Sequence, residues 1–324
     1  MSALSWLRIA DLVEGAAVEG FYAVRDANLQ FTTAGKPYMR LILADASGTI
    51  VANLWDITTD EQKTVAAGDI VKVRGQVESY RSALQLKLSN LRRATAADKI
   101  DASRFLPVTP GDRQALRQEW LRLANSIKDA DYRQLLADFA GDEVFMDAFC
   151  RAPAAKENHH AYVGGLLEHT VSVARLAEAL IAGRTASVNA DLLFAGALLH
   201  DVGKVWELRA DAIIEYTDTG RLVGHLVLGC LCVQERAKRL GQFPSLKLDL
   251  LLHMILSHHG QREFGSPVLP AIPEALALHH LDNLDAKTNA AQHLIGKDTN
   301  SRSRWTERSW MLDTALFKGI NNSI

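Results

Sequence analysis

Hydrophobic and polar residues alternate through much of residues 16–93, and this pattern predicts β-strands over that part of the chain. In "KPYMRLILADASGTIVANLWD", Met39, Leu41 and Leu43 take every second position, and an Asp-Ala-Ser-Gly turn precedes a second apolar run. The segments "GAAVEGFYAVRDANLQFT", "GDIVKVRGQVESY" and "ALQLKLSNLRR" bring the total to about five short strands. Short strands separated by turns in this way favour a small closed barrel.

The pattern changes to helical spacing from about Asp112 onward. Leu116, Trp120, Leu123 and Ile127 follow one another at intervals of four, three and four residues, as on one face of a helix. The intervening segment is of mixed composition and contains two prolines, which is typical of a linker. We therefore predict a multi-domain α+β protein with a barrel domain over 1–95, a linker over 96–111 and a helical domain over 112–324.

Composition adds few constraints beyond a globular, soluble class. The 324 residues are 48% hydrophobic and 23% charged, and the net charge of −2 means that any surface for nucleic acid must be local. The three cysteines fit no disulfide framework and are expected to be buried thiols in a reducing compartment. The N-terminus lacks the features of a signal peptide, and no uncharged apolar run reaches about 18 residues. These features predict a cytoplasmic protein without a membrane partner.

Ten of the eleven histidines lie between positions 159 and 280, and several share a helical face with apolar residues. His169 precedes Val173 on such a face, and His200 with Asp201 ends the apolar run "LLFAGALLHDVGK". Burying so many ionisable groups without partners would cost several kcal/mol each. Coordination of a divalent metal removes that cost, and a mixture of imidazole and carboxylate suits transition metals such as Mn or Fe.

The neighbouring residues His200 and Asp201 can face two sides of one site, because they stand next to each other at the end of a predicted helix. His200 can hold one ion while Asp201 bridges to another. Two ions about 3.5–4 Å apart can activate water and clamp a phosphate oxygen. The residues alone therefore predict metal and phosphate chemistry.

Five segments occur in a characteristic order, namely "GLLEHT", "LLHDVGK", "TGRLVGH", "ILSHHG" and "LDNLDAK". This order resembles the HD phosphohydrolase superfamily. The flanking segments "APAAKENHHAYVGG" and "SHHGQREFGSPVLPAIPEALALHH" are similar to those of the YhaM-type 3′-to-5′ exoribonucleases. The resemblance covers most of the chain, is weakest over 96–140 and after Lys297, and implies an N-terminal all-β OB-fold barrel followed by an all-α HD domain.

The resemblance also implies an activity, which is metal-dependent hydrolysis that releases nucleoside monophosphates from the 3′ end of single-stranded RNA. Single-stranded DNA is an additional expected substrate. The choice of RNA and the 3′-to-5′ polarity come from the resemblance alone. The expected cofactor is one or two divalent transition-metal ions, with Mn²⁺ first and Fe, Co or Mg as alternatives.

The motifs of the family assign roles to residues of this chain. The implied metal ligands are His169, His200, Asp201, His225, His258, His259 and Asp282, and the choice between His258 and His259 stays open. His200, Asp201 and Lys204 are the implied catalytic residues, although Lys204 is equally well explained as a surface lysine. Asp285 is expected to orient a ligand imidazole. Lys156, His159, His160 and Ser266 are candidate substrate contacts, whereas His253, His279 and His280 are expected to be structural.

Some HD enzymes carry a glutamate four residues before the first ligand histidine, where it supports a third metal. Gly165 occupies that position here, so we expect two ions at most.

The barrel carries a local excess of positive charge, with six basic and two acidic residues between Asp69 and Arg93. Basic residues beside aromatic rings are typical of barrels that bind single strands, although an ordinary solvated face has the same composition. We assign Phe21 and Trp55 to the core. The candidate strand-binding residues are Tyr22, Phe31, Tyr38, Lys72, Arg74, Tyr80, Arg81 and Lys87.

Two other functions remain open at this point. One is a phosphohydrolase of a small nucleotide with a regulatory barrel, and the other is a non-catalytic nucleic-acid binder with a structural metal. The tail "TERSWMLDTALFKGI" is amphipathic and can pack on the helical domain or on another subunit, which leaves a homo-oligomer open.

Overall fold

The computed structural model describes residues 7–55, 57, 65–81, 83–100, 104–157, 159–183, 187–298, 300 and 302–319. The chain forms two compact units. Unit 1 contains residues 1–108 and 210–214, and unit 2 contains residues 109–209 and 215–324. The first unit thus includes a short segment from the second half of the chain. Its Ala212 and Ile213 pack with Phe21 and Phe105 in a small apolar cluster.

Unit 1 contains a closed barrel of five strands in the order β1-β2-β3-β5-β4. The strands are β1 (Ala17–Phe31), β2 (Pro37–Asp45), β3 (Gly48–Trp55), β4 (Ile70–Tyr80) and β5 (Ala83–Arg93). Strands β3 and β5 are parallel, and the other neighbouring pairs are antiparallel. This is the topology of an OB-fold, and it confirms the predicted fold class of the N-terminal part.

The barrel interior is filled by the residues that alternate in the sequence. Leu41 and Leu43 of β2, Val71 and Val73 of β4, and Leu86 of β5 are buried in one cluster. Strand β1 is long enough to pair with both β2 and β4, and a register shift between Val24 and Asp26 lets it bend from one partner to the other. The barrel can therefore close without an exposed edge.

The predicted turn after β2 is held by the side chain of Asp45. Its Oδ1 accepts hydrogen bonds from the backbone N–H of Ser47 at 2.7 Å and of Gly48 at 3.1 Å. Its Oδ2 accepts from the backbone N–H of Ile9 at 2.8 Å. One buried carboxylate thus fixes the β2–β3 hairpin and the segment that leads into β1.

Unit 2 is mainly helical. It also contains a short two-stranded sheet of β6 (Leu208–Ala210) and β7 (Ile214–Tyr216), whose turn is part of unit 1, and a tail with isolated β-bridges between Trp305 and Phe317 and between Ser309 and Thr314. The helices are α1 (Arg113–Ser126), α2 (Ala130–Gly141), α3 (Glu143–Arg151), α4 (Gly165–Ala182), α5 (Ala190–Leu199), α6 (Lys204–Glu207), α7 (Asp218–Val223), α8 (His225–Arg239), α9 (Ser245–Ser257) and α10 (Pro273–Lys297). Within the described ranges, no helix combines the length and apolar character needed to cross a membrane.

Helix α5 lies at the centre of the helical core. Every residue from Leu192 to Leu199 is buried, and the apolar positions surround the whole helix rather than forming one stripe. The side chain of Asn189 caps its first turn by accepting from the backbone N–H of Leu192 at 3.1 Å. The apolar run that ends in His200 and Asp201 therefore carries these two residues into the middle of unit 2.

Candidate metal centre

The seven predicted ligands come from helix ends or from single positions on helices of unit 2. His200 is the C-cap of α5 and Asp201 follows it, while His258 is the C-cap of α9 and His259 follows it. His169 and Asp282 lie within α4 and α10, and His225 is the first residue of α8. Imidazole and carboxylate groups from five segments of the chain therefore meet in one region of unit 2.

Four of these residues form the group that we call site 1, namely His169, His200, Asp201 and Asp282. Nε2 of His169 lies 3.1 Å from Oδ1 of Asp282, 3.4 Å from Oδ2 of Asp201 and 3.2 Å from Nε2 of His200. Nε2 of His200 also lies 3.4 Å from Oδ2 of Asp201. Two imidazole nitrogens and two carboxylate oxygens thus lie close together, and His169, His200 and Asp282 form a group that could hold a metal ion.

The remaining histidines form a second group, site 2, which consists of His225, His258 and His259 together with the other oxygen of Asp201. Nε2 of His225 and Nε2 of His258 each lie 3.5 Å from Oδ1 of Asp201. In the described part of the chain, Nε2 of His225 and Oδ1 of Asp201 are buried without a hydrogen-bond partner. Such orphaned polar atoms are costly unless a ligand satisfies them, so the donor set fits a second ion.

Asp201 belongs to both groups, because Oδ2 faces site 1 and Oδ1 faces site 2. Its side chain is almost completely buried, at 2% exposure. A carboxylate placed in this way can bridge two ions.

Each histidine of the two sites is fixed through its Nδ1 atom. Three Nδ1 atoms donate to backbone carbonyls: His200 to Ala197, His258 to Ile255 and His259 to Phe264, at 2.7–2.9 Å. Because a carbonyl oxygen only accepts, Nδ1 must carry the proton, and in a neutral ring Nε2 then keeps a free lone pair. This tautomer is the one that ligates a metal through Nε2.

The other two histidines are held by carboxylates. Nδ1 of His169 donates to Oδ2 of Asp285 at 2.7 Å, and Nδ1 of His225 donates to Oε1 of Glu207 at 2.9 Å. Asp285 therefore has the orienting position expected from the sequence, and it also accepts from the hydroxyl of Ser172. Carboxylates in this position fix a ligand ring and raise its basicity.

The charges of the centre are arranged for cations. Burial opposes ionisation of Asp201, but Lys204 and His200 outweigh it and hold the pKa of Asp201 well below its usual value. Burial also disfavours charge on His169, yet hydrogen bonds to Asp201, Asp282 and Asp285 raise its pKa well above the usual value. Burial lowers the pKa of His258 and brings that of His259 to about 3. Ionised carboxylates and neutral imidazoles are the forms that bind metal, and a metal at site 1 must displace the proton of His169.

A family model for the HD domain matches residues 166–287. The chain is also 34% identical over 311 residues to the 3′-5′ exoribonuclease YhaM of Geobacillus sp. (strain WCH70), and the match spans 96% of this chain and 94% of that protein. The chain belongs to the YhaM family of 3′-5′ exoribonucleases. The resemblance inferred from the sequence motifs is confirmed, and so is the HD domain in the C-terminal part.

Two solved structures resemble the N-terminal part of the chain. The second OB-fold domain of replication protein A from Methanococcus maripaludis is 25% identical, with a TM-score of 0.23, over 27% of this chain and 92% of that chain. The single-stranded DNA binding protein from Thermus aquaticus is 22% identical, with a TM-score of 0.22, over 28% of this chain and 44% of that chain.

Lys204 is buried rather than on the surface, and its Nζ donates to Oδ2 of Asp201 at 2.6 Å. Burial would lower the pKa of Lys204, but the charge of Asp201 outweighs it and raises that pKa. The lysine thus neutralises the shared carboxylate from within the site.

The candidate substrate residues take different positions. His160, predicted to contact phosphate, is buried beside the metal centre with both of its ring nitrogens occupied by protein groups. Nε2 bonds to Asp285 at 2.9 Å and Nδ1 bonds to the hydroxyl of Tyr162 at 2.8 Å. His159 differs, since its Nδ1 is buried without a partner in the described chain and its ring centroid lies 6.2 Å from that of His169. Burial lowers the pKa of His159 to about 4, which keeps the ring neutral.

Lys156 and Ser266 also remain candidates for substrate contact. Lys156 is half-buried in the loop before His159. Ser266 is buried, and its hydroxyl has no hydrogen-bond partner among the described residues.

Gly165 and Gly203 allow backbones to approach closely around the centre. A Cβ atom at Gly165 would lie 2.0 Å from the carbonyl oxygen of His160, so a glutamate for a third metal has no space in this backbone. A Cβ atom at Gly203 would lie 2.0 Å from the carbonyl oxygen of His225. The second contact brings the start of α8, and with it His225, against the turn that follows Asp201.

The structure corrects two assignments in the barrel. Tyr22 was predicted to stack on bases, but it is completely buried in the barrel core and its hydroxyl donates to the carbonyl of Leu7 at 2.7 Å. Trp55 was assigned to the core, but it is 38% exposed and stacks on Tyr38 with ring centroids 4.4 Å apart. Alternation in a strand does not reveal which of its two faces points inward.

The remaining barrel candidates lie on the outside, and they differ in whether their side chains already have a partner in the protein. Phe31 and Tyr80 are exposed, and the guanidinium of Arg81 lies 5.4 Å from the ring centre of Tyr80. Lys72 and Arg74 form ion pairs with Glu19, at 3.0 Å and 2.7 Å, which offsets their charge. Lys87 is exposed on β5 directly opposite Asn53 of β3, on the same outer face as Trp55.

Glu207 was not found from the sequence. It receives hydrogen bonds from both the backbone N–H and Nδ1 of His225, at 3.0 Å and 2.9 Å. The sequence offered one signal for a buried role of Glu207, which is that this acidic residue lies one helical turn after Lys204 and beside apolar neighbours. Its partner is 18 residues away, so spacing alone could not reveal the pair.

Replacement of Asp285 by asparagine should lower the affinity for Mn²⁺ by about 10- to 100-fold, because the orienting carboxylate of His169 is lost. Isothermal titration of the metal-free protein with Mn²⁺ measures this change. The exposed Asp313→Asn variant is the control and should bind Mn²⁺ as the wild type does. Unchanged affinity in Asp285→Asn would show that Asp285 does not support site 1.

Proposed function

We propose that this protein is a metal-dependent 3′-to-5′ exoribonuclease that releases nucleoside monophosphates from single-stranded RNA. The observation that carries the proposal is the bridging position of Asp201 between two groups of donors. Such a pair of sites is suited to a phosphodiester, whose attacking and leaving oxygens both need stabilisation. The choice of RNA as the substrate and the 3′-to-5′ polarity are inferred from membership of the YhaM family.

We assign His169, His200, Asp201 and Asp282 to one metal and His225, His258, His259 and Asp201 to the other. Mn²⁺ is the preferred ion, because imidazole-rich sites with carboxylates favour transition metals over ions that seek oxygen alone. When bound, the ions supply an activated water and stabilise the charge on the phosphate.

The residues around the metals hold the substrate and its protons in this proposal. Water attacks phosphorus, the bond to the 3′ oxygen of the preceding nucleotide breaks, and that oxygen takes up a proton. Lys204 limits the negative charge of Asp201 and so makes the approach of a phosphate less unfavourable. His159 offers a neutral ring with an Nδ1 atom that has no partner among the described residues beside site 1, which suits a hydrogen bond to a phosphate oxygen.

The barrel is proposed to hold the strand on the outer face of β2, β3 and β5. The Tyr38–Trp55 stack lies on this face, Arg40 pairs opposite Asn53, and Asn53 pairs opposite Lys87. Exposed aromatic rings beside cationic side chains suit stacked bases and their phosphates. This surface favours a polymer over the alternative, a phosphohydrolase of a small nucleotide, because a small substrate needs no such track.

Replacement of Asp201 by alanine should abolish hydrolysis of end-labelled RNA while binding to the strand persists, because the change removes a donor from both sites. Gel assays in Mn²⁺ measure cleavage, and fluorescence anisotropy measures binding. Asp249→Ala, an exposed change on α9, should retain full activity. Substantial turnover by Asp201→Ala that persists after chelation would contradict the two-site mechanism.

Chelation should stop hydrolysis, and Mn²⁺ should restore it better than Ca²⁺. The imidazole nitrogens of both sites bind transition ions more strongly than hard ions that prefer oxygen. Rates measured with each ion over a concentration series test this order. Full activity with Ca²⁺ alone would argue against histidine ligation of the active ions.

Replacement of Trp55 by alanine should weaken binding of a long single strand by about 5- to 150-fold, because one stacked base is worth about 1–3 kcal/mol. Lys87→Ala should reduce the slope of log affinity against log salt by about 0.7. The exposed Trp310→Ala variant is the matched control for loss of an indole. If Trp55→Ala binds RNA as tightly as the wild type, the β2–β3 face is not the strand-binding surface.

A further inference from the structure

The loop between α9 and α10 presents an aromatic ring to solvent immediately beside site 2. Phe264 is 63% exposed, although its backbone carbonyl accepts the hydrogen bond from Nδ1 of His259 at 2.7 Å. The His259 ring therefore contacts the Phe264 backbone through Nδ1, while its other nitrogen, Nε2, is the candidate donor of site 2. The backbone of Phe264 thus contacts a candidate ligand of site 2, which places this exposed residue near any nucleotide whose phosphate binds there.

The loop is held by hydrogen bonds, so the backbone that carries Phe264 has a defined position. The backbone N–H of Ser266 donates to the carbonyl of Gln261 at 3.2 Å, and the N–H of Gly265 donates to that of Arg262 at 2.9 Å. Farther along, the backbone N–H of Ala271 donates to Nε2 of His253 at 2.9 Å. A ring on such a loop stacks on a ligand with little further loss of conformational entropy.

A second observation in the same loop also points to a ligand. The hydroxyl of Ser266 is buried at 2% exposure and has no hydrogen-bond partner within the part of the chain that the structure describes. A buried hydroxyl without a partner costs free energy unless a bound molecule satisfies it. Ser266 follows Phe264 by two residues, so an aromatic face and a free hydroxyl occur together next to site 2.

We propose that Phe264 stacks on the nucleobase of the 3′-terminal nucleotide and that the hydroxyl of Ser266 bonds to the same nucleotide. The inference rests on the proposed exoribonuclease function and adds a subsite to it. Every nucleobase has an aromatic face, so stacking accepts all four bases and suits an enzyme that removes successive nucleotides of any sequence. Phe264 is thus a binding residue for the terminal base, distinct from the metal donors.

The test compares two short RNA strands in Mn²⁺, one with an ordinary 3′-terminal nucleotide and one whose terminal nucleotide lacks the base. For the wild type, kcat/KM for release of the terminal nucleotide should be roughly 5- to 150-fold higher with the base present, as expected for one stacked base. Phe264→Ala and Phe264→Leu should lose this preference and cleave the abasic strand at the wild-type rate. Phe264→Trp should restore the preference, and Trp310→Ala should leave both rates unchanged.

The outcomes separate the possible roles of Phe264. If Phe264→Ala slows both strands equally, the side chain acts only by positioning the loop whose backbone orients His259, and the inference is overturned. A wild type that cleaves both strands at one rate also overturns it, as does a Phe264→Ala variant that keeps the full preference. If the wild type cleaves neither strand in the presence of metal, the proposed function itself fails and this inference fails with it.

Discussion

The structure of the helical unit depends on one buried negative charge, the carboxylate of Asp201. Helix α5 is apolar on all sides and carries this side chain into the buried interior of unit 2. A carboxylate there is tolerable only if cations surround it. Lys204 and the imidazole of His169 supply positive charge within the chain, and the two donor groups on either side of Asp201 supply places for metal ions. The arrangement of α4, α8, α9 and α10 around the end of α5 follows from this requirement.

Much of this architecture could be predicted from the sequence, because burial imposes a period on each kind of element. Alternation identified β2, β4 and β5, and spacing by three and four residues identified α1, whose Trp120, Leu123 and Ile127 are buried. Pro273 occupies the first turn of α10, and Gly260 takes a positive φ shortly after the end of α9, as these residue types commonly do at helix ends. The histidines were recognisable because ionisable side chains on apolar faces need a common partner, and these donor groups suit a metal ion.

The errors arose where a contact joins distant parts of the chain. Strand β1 is buried on both faces over Phe21–Val24, since Tyr22 fills the barrel while Phe21 packs with Phe105 and Ile213. Alternation cannot distinguish such a strand from one with a solvated face, and Tyr22 was therefore misplaced. The contact of His160 with Asp285 was missed for a similar reason, because the two residues are 125 positions apart. Neither the period nor the local composition carries information about these pairings.

The hydrogen bonds to Nδ1 divide the candidate ligand histidines into two classes, which differ in how easily a mutation can remove the orienting group. His200, His258 and His259 are oriented by backbone carbonyls, and no amino-acid substitution can delete a carbonyl from the chain. His169 and His225 are oriented by the side chains of Asp285 and Glu207, which one codon change can remove. Damage to the centre by mutation outside its ligands should therefore concentrate on two carboxylates, one for each metal site. The orientation of His200, His258 and His259 is less sensitive to mutation, because their hydrogen-bond acceptors are backbone carbonyls.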